Sequence, residues 1–142
     1  MAEYLVGGMF ESVLFPARLS PTLCSRAQAM AELLRWLNSY GVTQLFAYNA
    51  AFDCKHMPEL SNLQWYDIMR LAAYRQYNPK IPSCADCFST GRLKRGYGVE
   101  PMLRLLSGNH RYRETHNALY DAMDELEIMR LLGHGTEMYI RL

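Results

Sequence analysis

The sequence predicts an α/β fold, a mixed β-sheet flanked by helices, in a single domain over residues 1–142. Two observations predict it. Two β-prone runs open the chain. Helix-like and strand-like segments then follow one another at short intervals. In such a fold Asp53 stands just past a buried strand, where ligand sites are usually placed, and Asp121 lies beside the apolar stripe of a helix.

Taken in order, Tyr4-Leu5-Val6 and Met9 to Phe15 are β-prone and joined by Gly7-Gly8, which predicts a hairpin. Pro16 and Pro21 bracket a loop. Ala27, Met30, Leu33, Leu34, Leu37 and Tyr40 recur at helical spacing, and Gly41 ends that helix. Gln44 to Tyr48 reads as a short buried strand. Asp67 to Tyr77 reads as a helix capped by Asp67 and ended by Asn78-Pro79. Residues 79–97 are irregular, and Val99 to Leu106 form a short helix that starts with Pro101 in its first turn. A last helix is expected from a Thr115 cap to Gly133, with Ala118, Ala122, Met123, Leu126, Met129 and Leu132 facing the core.

Composition narrows the function classes. An apolar fraction of 50% and an aromatic fraction of 12% over 142 residues suit a globular domain and exclude a disordered chain. The net charge of +1 confines any nucleic-acid surface to a local patch. No apolar run nears the roughly 18 residues of a membrane span, so no membrane partner is expected. No signal peptide is evident, and four cysteines without one predict reduced thiols and a cytoplasmic protein.

Two carboxylates and a histidine, His116, are the parts of a metal-dependent hydrolytic site. The acids would hold hard divalent cations and the imidazole would deprotonate water. Each part also has a plainer reading. Asp53 could cap the short helix that follows it, and His116 could be a polar residue of a first helical turn. The acids Asp124, Glu125 and Glu127 read as the solvated face of the last helix.

Phe46-Ala-Tyr-Asn49-Ala-Ala-Phe52-Asp53 resembles the second motif of the DEDDh 3′–5′ exonucleases, the family of the DNA polymerase III proofreading subunit and RNase T. His116-Asn-Ala-Leu-Tyr-Asp121-Ala resembles their third motif, a His five residues before an Asp. The resemblance covers roughly residues 4–133. It implies a ribonuclease-H-like mixed sheet, Asp53 and Asp121 as ligands of Mg²⁺ or Mn²⁺, and His116 as general base. It also implies Asn49 and Phe52 near the terminal nucleotide of a single-stranded DNA or RNA 3′ end. The family's first motif, an Asp-x-Glu on the first central strand, has no counterpart before Asp53. The implied fold is therefore N-terminally incomplete, missing that strand, and two of four metal carboxylates are absent. Weak cation binding, little or no activity, and self-association, as in a strand-sharing homodimer, are the expected consequences.

Arg92, Lys94, Arg95, Arg104, Arg111 and Arg113 face one acid, Glu100, with Tyr97 and Tyr112 interleaved. Such a segment could contact phosphates and stack bases, or be ordinary solvated surface. Cys84-Ala-Asp-Cys87 with Cys54 and His56 offers a zinc alternative. The spacing lacks a second Cys pair, so zinc is not expected.

Overall fold

Ser25 starts the first helix by a reciprocal cap. Its hydroxyl accepts the Gln28 N–H at 3.2 Å while the Gln28 side chain accepts the Ser25 N–H at 3.0 Å. The resulting helix α1 (Arg26–Ser39) opens a computed structural model that describes residues 23–142. The expected hairpin and the proline loop lie outside these residues.

Gly41, at φ +63°, ends α1 and turns the chain into β1 (Gln44–Ala47). Then come α2 (Ala50–His56), a 3₁₀ turn at Pro58–Leu60, β2 (Gln64–Asp67) and a four-residue helix α3 (Met69–Ala72). After the irregular stretch lie α4 (Val99–Ser107), α5 (Ala118–Leu132) and β3 (Ile140–Arg141). The sheet is small and mixed. Its order is β1-β2-β3, with β1 parallel to β2 and β3 antiparallel to β2.

Side chains alternate across this sheet and feed two cores. On one face Ala47 and Trp65 join Leu37 of α1, Ala50 and Leu60. On the other, Phe46 and Tyr66 pack against a larger cluster that includes Ile68, Leu71, Met102, Leu103, Ile128 and Tyr139. Asn78, fully buried in that cluster, donates to the Ala72 carbonyl at 2.7 Å and accepts from the Lys80 N–H at 3.0 Å. Among the described residues no helix is long and apolar enough to cross a membrane.

The structure corrects three expectations. The helix expected over 67–77 is only α3, because the chain beyond Ala72 pairs with residues 91–93 instead. Arg75 N–H donates to Gly91 C=O at 3.0 Å and Leu93 N–H to Ala73 C=O at 2.9 Å. The last helix is capped by Asn117, whose side chain accepts the Leu119 N–H, rather than by Thr115. Of its expected core stripe only Met129 and Leu132 pack on the core, beside Ile128, which the stripe did not include; Ala118, Ala122, Met123 and Leu126 are exposed. The chain end, for which no element was expected, supplies β3.

Candidate carboxylate site

The site is built where β1 ends. Asn49 turns the chain through a left-handed conformation (φ +62°), and Asp67 at the end of β2 holds that turn. One oxygen of Asp67 accepts the N–H groups of Asn49 and Met69, each at 3.0 Å. The chain then enters α2, which carries Asp53 as its fourth residue. Asp53 therefore is not the cap of that helix; the position before it belongs to Asn49.

Asp53 and Asp121, 68 positions apart in sequence (121 − 53), line one cleft of about 450 Å³ between β1, α1 and α5. Glu125, one turn beyond Asp121 on α5, lines it too. Glu125 corrects the solvated-face reading: its carboxylate is partly buried and accepts the Tyr48 N–H at 3.1 Å. Tyr48 is itself buried, and its hydroxyl donates to the Tyr97 carbonyl. Burial raises its pKa first, and Asp67 and Glu125 add to the rise.

The electrostatics are those of crowded acids. Burial pushes Glu125 up to about 7, and the charges of Asp53, Asp121 and Glu114 add to this, against the Tyr48 N–H. Burial likewise lifts Asp53, opposed by its own backbone N–H and then by His56. It lifts Asp121 too, which is opposed by His116 and pushed further by Asp124. The Oδ1 atom of Asp121 is buried and has no hydrogen-bond partner among the described residues.

His116 stays outside the cleft lining. It precedes α5 in a left-handed conformation (φ +54°), its side chain 77% exposed and its Nδ1 4.0 Å from Glu114. It is near enough to bias Asp121 electrostatically. Phe52 is 60% exposed, with its ring 4.2 Å from the ring of His56.

The basic segment divides in two. Arg92 lies over two rings, at 4.9 Å from Phe88 and 5.3 Å from Tyr97. Lys94 and Arg95 both face Asp86, at 2.8 and 3.9 Å, which cancels part of their charge. Arg104 is tied into the fold by Glu100 and the Tyr112 carbonyl. Tyr97, through Tyr48, is the member of this segment that the structure links to the acid cleft.

Carboxylate oxygens are the right donors for a hard cation, and the unpartnered Asp121 oxygen could serve as one. The set is nevertheless short. Among the described residues, no group of three or more His, Cys, Asp or Glu side chains is placed to hold a metal ion, at the acid cleft or around Cys84, Cys87, Cys54 and His56. The residues present do not make a two-metal centre.

Sequence reasoning missed Glu125, Tyr48 and Asp67 as parts of this site. The i, i+4 spacing of Asp121 and Glu125 was the available signal for the first. Tyr48 and Asp67 act through backbone groups and carry none. No family model, curated protein or solved structure gives a significant match to this chain.

Proposed function

We propose that this chain is a DEDDh-type 3′–5′ exonuclease domain whose catalytic set is incomplete. The observation that carries the reading is the shared cleft of Asp53 and Asp121, two acids from distant elements meeting beside the C-terminal end of β1. The β1–turn–α2 unit and the mixed sheet of the described residues support a ribonuclease-H-like architecture. Asp53 and Asp121 are the residues that would hold Mg²⁺ or Mn²⁺, weakly. When bound, such ions supply charge neutralisation and a nucleophilic water. His116 is the proposed base; it lies outside the cleft lining, close enough to Asp121 to bias it electrostatically. The substrate class is the 3′ end of single-stranded DNA or RNA.

The direct assay is a 3′-labelled single-stranded oligonucleotide incubated with Mg²⁺ or Mn²⁺. Little or no shortening is expected, since half of the carboxylates are missing. Efficient degradation that Asp121→Asn abolishes would show a complete site and overturn the incomplete one.

A second reading, a non-catalytic relative that binds single strands, draws on the Phe88–Arg92–Tyr97 stack, which offers an aromatic face next to a cation. Salt-dependent binding without cleavage, weakened by Arg92→Ala, would favour it.

A further inference from the structure

The segment between α4 and α5 is pinned just before His116. Glu100, in the first turn of α4, accepts the Glu114 N–H at 2.9 Å and also binds Arg104 and Arg113, the latter at 3.2 Å. Arg104 in turn donates to the Tyr112 carbonyl at 2.8 Å, and the Tyr112 hydroxyl donates to Asp124 of α5. Residues 112–114 are therefore tied to both helices, and the Glu114 side chain is only 19% exposed.

Two residues on, His116 presents Nδ1 to that carboxylate at 4.0 Å. The partners are unequal. The carboxylate is held and the exposed ring can turn, so closing the pair orders one side chain rather than two. Catalytic hydrogen bonds are often this long before substrate tightens them. The surroundings favour closure. Burial lifts Glu114 above the ordinary carboxylate range; His116 opposes the rise, and Asp121, Asp124 and Glu100 add to it. A proton-donating ring relieves that crowding of acids.

A neutral imidazole carries its proton on one nitrogen and keeps a lone pair on the other. Free in water it prefers the proton on Nε2, whereas a carboxylate against Nδ1 draws the proton there. We propose that Glu114 is a positioning residue for His116, holding its Nδ1–H and leaving the Nε2 lone pair to accept a proton. An Nε2 that takes a proton from water leaves hydroxide and an imidazolium with Glu114 as its counter-charge. That use of the pair rests on the exonuclease reading of His116; the tautomer itself does not.

Nitrogen-15 NMR of the imidazoles in the full chain at pH 9, where the rings are neutral, reads the tautomer directly. Exposed His110 is the internal reference. The expected ratio of Nδ1–H to Nε2–H is about 5-fold higher at His116 than at His110, the size of a good surface pair. Glu114→Ala should bring His116 down to the His110 ratio. Glu127→Ala, which removes another acid of α5, should leave it unchanged. A Glu114 with a purely structural role would alter stability but not this ratio. Equal ratios at His116 and His110 in the wild type overturn the proposal, as does a raised His116 ratio that survives Glu114→Ala. Should Glu114→Ala unfold, the ratio in Glu114→Gln, which loses the charge, must still fall toward that of His110. The readout involves no cleavage, so its failure leaves the exonuclease reading standing, and an inactive chain leaves the pair standing.

Discussion

Asp67→Ala is expected to lower stability by roughly 3 kcal/mol in urea denaturation, because it strands two backbone donors at the turn beneath the site. The Asp67 side chain is buried, and one of its oxygens accepts both the Asn49 and the Met69 N–H. Each unpaired buried N–H costs about 1–3 kcal/mol, which outweighs the relief of removing a carboxylate from a buried position. Arg70, 3.9 Å away and largely exposed, adds little. Asp67→Asn keeps the accepting oxygen and removes the charge, so a change within about 1 kcal/mol is expected. Equal losses in the two variants would mean that charge, not the two hydrogen bonds, holds the turn.

Glu125→Gln is expected to stabilise the protein at pH 8 and leave it nearly unchanged at pH 4. The folded-state value of Glu125, about 7, lies above its ordinary 4.5, so the folded state binds the proton more tightly. The stability linked to that proton is fully present below about 4.5 and is lost as pH rises to about 7. Above that window the ionised carboxylate sits beside Asp53 and Asp121 at full cost. Glutamine keeps an oxygen for the Tyr48 N–H and carries no charge. With Glu125 only partly buried, the gain at pH 8 should be about 1–2 kcal/mol after allowing for solvent screening. Melting curves of both proteins at the two pH values measure it. A Gln variant less stable at pH 8 would show that the ionised carboxylate is a favourable partner there.

Much of the fold was legible because local signals agree with the tertiary outcome. Helix α1, strand β1 and helix α4 follow from apolar spacing and from glycines that adopt positive φ at Gly41 and Gly108. Where long-range pairing competes with local propensity, the sequence misleads. Residues 73–77 read as helix, but Ala73 and Arg75 bond across to Leu93 and Gly91. The start of α5 was read one cap early, since Thr115 and Asn117 are both good cap residues and only the left-handed turn at His116 decides between them. Of the site, Asp53 and Asp121 were visible from their places beside apolar runs. Glu125 was obscured by its acidic neighbours. Asp124 meets the Tyr112 hydroxyl and Glu127 meets Arg130 at 2.6 Å, so three adjacent-looking acids have three different environments.

Asp53 and Asp121 are proposed as a half-built cation site, with Glu125 lining the same cleft. Paramagnetic broadening of amide resonances by Mn²⁺ at pH 8 tests it most directly. The expected result is weak, millimolar-range broadening centred on α2 around Asp53 and the first turns of α5, and lost in Asp121→Asn. Broadening centred instead on exposed acids such as Glu59, Asp86 and Glu127, and unchanged by Asp121→Asn, would contradict it.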